Sequence, residues 1–81
     1  MRVTVNSTES CYFCTLVKEF LQEHNIKFEE VDVGADQKAA QKMIEKSHQY
    51  GVPQTWVEKD GKEEIIIGFD IPRLKQALGI K

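Results

Sequence analysis

Val3 and Val5 alternate with polar neighbours, which predicts a short strand over residues 2–6. Ser7-Thr8-Glu9-Ser10 is a polar turn, and Ser10 is the candidate N-cap of a helix opening at Cys11 or Tyr12. Phe13, Leu16, Val17, Phe20 and Leu21 recur at helical spacing, and Cys14 falls on the same apolar stripe. Asn25 offers a left-handed stop for this helix. Alternation returns over residues 27–33, with Phe28, Val31 and Val33 among charged positions, and predicts a second strand led in by Ile26. Asp36 is a candidate cap for a second helix, marked by Ala39, Ala40, Met43 and Ile44 and ending near Ser47.

The stretch His48 to Pro53 reads as a loop, punctuated by Gly51 and Pro53. A third strand runs from Gln54 to Glu58, and Asp60-Gly61 is a hairpin turn leading to a fourth over residues 63–67. Alternation sets Trp56 and Val57 on opposite faces of that sheet. Asp70 caps a last helix that tolerates Pro72 in its first turn, turns Ile71, Leu74 and Leu78 inward, and ends at Gly79. The order is βαβαββα. The βαβ unit requires two parallel strands, and the hairpin adds antiparallel ones. With 81 residues and no linker, repeat or low-complexity tract, a single domain over 1–81 with a thin core is expected.

Charge and composition mostly exclude. Eleven basic against thirteen acidic residues, net −2, do not make a nucleic-acid surface. The longest apolar run, Ile65 to Phe69, is too short to span a membrane, and Met1 to Val5 lacks the apolar core of a signal peptide. A cytoplasmic monomer is the expectation.

The two cysteines change the picture. Cys11 and Cys14 form a C-x-x-C pair, which cannot complete a four-ligand zinc site, and His24 and His48 lie too far off to help. As a staple, a bridge closing so short a loop would restrict the unfolded chain very little. Redox chemistry uses the pair better. The thiolate is the nucleophile of disulfide exchange, and a helix N-terminus stabilises an anion with unpaired N–H groups and its dipole. Cys11, at the helix mouth, is the expected attacking thiol, and Cys14, one turn deeper, the resolving thiol. No bound metal or cofactor is expected. Two further segments stand out, each readable as a plain turn into the next element. Val52-Pro53 precedes the third strand and would offer Val52 backbone groups to an extended peptide; Gly68-Phe69-Asp70 opens the last helix, whose N–H groups suit a carboxylate.

Cys11-Tyr12-Phe13-Cys14 opening a helix, Val52-Pro53-Gln54 opening a strand and Gly68-Phe69-Asp70 opening the last helix together resemble the glutaredoxin family, from Val3 to about Leu78. The resemblance implies a thioredoxin fold, an α/β architecture with a four-stranded mixed sheet flanked by three helices. It implies a cis Val52–Pro53 bond beside Cys11, and a glutathione or substrate groove bordered by Tyr12, Phe13, Val52, Pro53, Gly68, Phe69 and Asp70. It implies a dithiol–disulfide oxidoreductase acting on protein disulfides or glutathione mixed disulfides, with glutathione or a thioredoxin reductase as electron donor. The chain departs from the family pattern at Tyr12 and Phe13, which stand where Cys-Pro-Tyr-Cys is usual, and at Thr8, where many members carry lysine. Gly68-Phe69 is similar to small redoxins that are reduced by thioredoxin reductase and serve ribonucleotide reductase. Loss of the active-site proline keeps a second class open, a carrier bridging an iron–sulfur cluster between subunits. A non-catalytic docking module is a third. Lys18 reads as a solvated helix lysine, His24 as complementing a helix end and His48 as a loop residue. Tyr12 and Phe69 are expected to rim the cleft and, with Phe13, to form an apolar docking patch.

Overall fold

The computed structural model describes residues 1–80. Seven elements follow in the expected order: β1 (Arg2–Ser7), α1 (Tyr12–Glu23), β2 (Glu29–Asp32), α2 (Gln37–Ser47), β3 (Gln54–Lys59), β4 (Lys62–Ile67) and α3 (Ile71–Leu78). The four strands form one sheet in the order β2-β1-β3-β4. β1 pairs parallel with β2 and antiparallel with β3, and β3 pairs antiparallel with β4. This is the four-stranded mixed sheet with three helices of the thioredoxin fold.

Alternation divides the sheet into two faces. Val3, Val5, Val57 and Ile66 pack with Val17, Phe20 and Leu21 of α1 and Leu74, Ala77 and Leu78 of α3. On the other face, Val33, Met43 and Trp56 form a smaller cluster beneath α2. Trp56 and Val57 do face opposite ways.

Local chemistry ends the elements. Asn25, at φ 58°, closes α1, where the Ile26 N–H donates to the Leu21 carbonyl at 2.9 Å and Ile26 packs on the main core. Gly79 and Ile80 repeat the arrangement at the end of α3. Asp60 and Gly61 both take positive φ, which a two-residue hairpin between twisted strands requires. β2 is shorter than the predicted 27–33. The Asp32 carboxylate accepts from the Gly34 and Ala35 N–H groups and turns the chain out of the strand.

Ile71, expected to face inward, is 37% exposed, whereas Phe13, on the apolar stripe and expected in the docking patch, is 55% exposed. Ile71 is the first residue of α3 and Phe13 the second of α1, so no earlier turn of the helix lies beneath either side chain. His48 also departs from a plain loop, since it takes φ 61° and caps the end of α2.

Candidate active site

Both cysteines are free thiols at the start of α1; Cys14 is buried and Cys11 half-buried. The predicted cap, Ser10, is displaced by Cys11 itself. Cys11 has extended backbone (φ −88°, ψ 113°), and its Sγ accepts the Cys14 N–H at 3.1 Å. Sulfur thus takes the place of the hydroxyl or carboxylate oxygen that usually caps a helix. Cys11 Sγ sits at the helix N-terminus, among the N–H groups of the first turn.

Cys14 lies one turn deeper. Burial pushes its thiol up to about 11, reinforced by the hydrogen bond with Cys11 and by charge on that sulfur; the Thr8 backbone and Lys18 pull it down. Lys18 is not the freely solvated lysine expected: one helical turn after Cys14, it pairs with Glu30 of β2 at 3.0 Å.

The three distant segments meet at one end of the sheet. Val52–Pro53 is cis, and the Val52 carbonyl oxygen lies 3.8 Å from Cys11 Sγ. The Pro53 carbonyl accepts the Gly68 N–H at 2.9 Å, which ties the second segment to the third. Gly68 sits at φ 78°, where a side chain would be strained even though space is open around it. Asp70 caps α3 by accepting from the Arg73 N–H at 3.2 Å, so its carboxylate already occupies that helix N-terminus. Phe69 is half-buried, and its ring meets Phe20 edge-on at 6.5 Å, which makes it more a wedge of the main core than a free rim.

Tyr12, 69% exposed, packs edge-on against Phe13 at 5.5 Å between ring centres. Tyr50, 82% exposed, rises from the loop before Val52. A shallow depression beside the β1–α1 turn is lined by Thr8, Glu9, Ser10, Asp32, Gly34 and Ala35, two acids and no base. The surface around the thiol is therefore aromatic and, on one flank, acidic.

Sequence reasoning missed Gln54 as a site residue. Its fully buried side-chain Nε2 donates to the Gln49 and Gly51 carbonyls at 3.1 and 3.0 Å, inside the loop that carries Val52. The signal available was a glutamine at the head of a strand otherwise bound for the interior. A roomier hollow of about 310 Å³ lies elsewhere, under the edge of α2, with Trp56, Arg2, Thr4 and Glu58 among its walls and neither cysteine. No group of three or more His, Cys, Asp or Glu among the described residues is placed to hold a metal ion, and no helix among them is long and apolar enough to cross a membrane.

Comparison with known proteins gives a family and several relatives. The family model for glutaredoxin matches residues 3–62. A glutaredoxin-like 8.6 kDa protein of the rubredoxin operon of Clostridium pasteurianum is 38% identical over 68 residues, 84% of this chain and 85% of its own length. A glutaredoxin-like protein NrdH from Lactococcus lactis is 40% identical over 43 residues, 53% of this chain and 60% of that one. Among solved structures, a single-residue variant of the thioredoxin-like protein BC3987 superimposes with a TM-score of 0.86 at 35% identity, covering 99% of this chain and 97% of the other.

Proposed function

The chain belongs to the glutaredoxin family of thiol–disulfide oxidoreductases, and from that premise we propose that it reduces protein disulfides and is itself re-reduced by a thioredoxin reductase. The observation that carries the reading is the pairing of a half-buried, helix-capping Cys11 sulfur with a buried Cys14 thiol one turn along the same helix.

In the first step the Cys11 thiolate attacks one sulfur of the substrate disulfide. A Cys11–substrate disulfide forms, and the other substrate sulfur leaves as a thiolate and takes up a proton. Cys14 then gives up its proton and attacks Cys11 Sγ. The Cys11–Cys14 disulfide forms, the mixed disulfide breaks, and the second substrate sulfur leaves as a thiol. Two electrons have passed from the dithiol to the substrate, and the reductase returns two. No bound cofactor enters this cycle.

The choice of protein over glutathione rests on the surface. Glutathione carries two carboxylates, and cations are the groups that would hold them. Here the depression beside the turn holds Glu9 and Asp32, and the cap of α3 is filled by Asp70. The exposed rings of Tyr12, Phe13 and Tyr50 instead suit the apolar side chains of a protein partner. The NrdH relative, itself described as glutaredoxin-like, is consistent with a redoxin of this kind.

NADPH consumption by the oxidised protein tests the donor. Thioredoxin reductase alone should support turnover, and turnover confined to glutathione plus glutathione reductase would overturn the assignment. Cys11→Ser should abolish reduction; retained activity would sink the mechanism. Cys14→Ser should accumulate a mixed disulfide visible by mass spectrometry, and its absence would remove the resolving role.

A further inference from the structure

The loop between α2 and β3 is the least regular part of the site, yet it must hold the Val52 carbonyl 3.8 Å from Cys11 Sγ. It has little apolar anchorage of its own. Gln49, Tyr50 and Gly51 are exposed, and Val52 alone packs against the cluster beneath α2. What fixes the loop is polar and comes from below. Gln54 heads β3 on the face that α2 covers, the same face as Trp56, so its side chain points back under the loop that has just descended from α2.

There its Nε2 donates to both the Gln49 and the Gly51 carbonyl, at 3.1 and 3.0 Å. The Gln49 carbonyl is also reached by Ser47 Oγ at 3.3 Å. Gln54 is itself held from the opposite side, because the buried Asn6 Nδ2 donates to its main-chain carbonyl at 3.2 Å. The chain of contacts runs from β1 through Gln54 to the two carbonyls that bracket Tyr50. The other end of the same amide gains nothing: Gln54 Oε1 is buried without a hydrogen-bond partner among the described residues. A buried acceptor left unpaired lowers stability. The two carbonyls it serves belong to residues that are otherwise exposed. Glutamine at this position therefore sets the shape of the loop.

We infer that Gln54 is a positioning residue: its buried amide locks residues 49–52 so that Val52 and Tyr50 present a preformed edge to the substrate peptide beside Cys11. The inference rests on the disulfide-reductase reading above for the nature of the occupant, while the locking itself is independent of it. A preformed edge spares the partner the ordering of the loop on binding, so its loss appears in KM before kcat.

Gln54→Met keeps the length of the side chain and removes both donors. With insulin as the protein disulfide, KM should rise about tenfold while kcat stays within about a factor of two. Selectivity for insulin over hydroxyethyl disulfide, as a ratio of kcat/KM values, should fall by a similar factor. Amide hydrogen exchange over residues 49–52 should speed up at least about tenfold, with the melting temperature held, because an unpaired buried acceptor leaves together with the donors. Gln54→Asn, whose shorter amide cannot span both carbonyls, should give the same KM shift and covers the case in which methionine disturbs the packing. Unchanged insulin KM in a folded variant, or unchanged exchange in the loop, would overturn the inference. Loss of melting temperature in step with loss of activity would reduce Gln54 to a structural residue. If the wild-type protein reduced neither disulfide, the oxidoreductase reading would fall, and the exchange experiment would still decide whether Gln54 locks the loop.

Discussion

The two faces of the sheet are built on different terms. Beneath α1 and α3 lies a continuous apolar layer of ten buried residues, with Ile26, Phe28, Phe69 and Ile80 closing its margins. Beneath α2 only Val33, Met43 and Trp56 are buried in an apolar cluster, and its edge opens into the hollow near Arg2 and Glu58. Polar contacts fill in on that side. Lys46 lies over the Trp56 ring at 4.2 Å and reaches Glu63 at 2.6 Å, while Trp56 Nε1 and Gln54 Oε1 stay unpartnered. Both faces meet the active site: Cys14 belongs to the α1 side, and the Val52 loop hangs from the α2 side. The helix that carries both cysteines is thus anchored in the tightly packed half and the loop that carries Val52 in the looser half. Stability and adaptability are divided between the two sides of one sheet.

Substitutions can break that comparison. Leu21→Ala, in the closed layer, should cost about 3 kcal/mol in denaturant unfolding, a large part of the stability of a domain this small. Met43→Ala on the α2 face should cost less, about 2 kcal/mol, because the surrounding residues can relax toward the open hollow. Equal losses from the two would erase the distinction between the faces. Lys46→Met removes a half-exposed ion pair and a cation–π contact together and should lower stability by about 1 kcal/mol. Arg2→Gln, at an exposed pair with Glu29, should stay within about 0.5 kcal/mol of wild type.

A pH experiment sharpens the chemical side. Two of the influences raising the Cys14 thiol to about 11 come from reduced Cys11, through its hydrogen bond and its charge. Both vanish once Cys11 is in a mixed disulfide, and only burial remains. Cys14 should therefore titrate lower in the mixed disulfide than in the dithiol, which stopped-flow resolution rates against pH would measure. In the dithiol form the sign for stability is also set. A thiol whose folded pKa is raised favours folding while it is protonated, so stability should fall as pH rises toward 11, and Cys14→Ala should flatten that fall.

Much of this was legible in residue pattern. Val3 and Val5 announced β1, Asp60-Gly61 the hairpin, and Trp56 beside Val57 the two-sided sheet. The C-x-x-C pair and the two later segments converge as the family resemblance implied, with Val52–Pro53 cis. What escaped depends on three-dimensional reach. Ser10 carries the usual capping side chain, and nothing in its identity shows that a sulfur one residue later takes its place. Ile71 shares the helical angle of Leu78 yet opens α3, where no earlier turn lies beneath it, and is 37% exposed. Gln54 looks like one polar residue in a strand until its amide is seen to hold two carbonyls of the loop above it.

The cap of α1 is the sulfur of Cys11, so the integrity of that helix and the state of that sulfur are linked. A sulfur tied into a disulfide is a weaker acceptor than a free one, so the Cys14 N–H should be held less well after oxidation. A cap is worth about 1 kcal/mol, and on the reading proposed above its loss would draw the couple toward the dithiol by ~20 mV. Amide exchange at Cys14, faster in the oxidised protein than in the reduced one, would report the change.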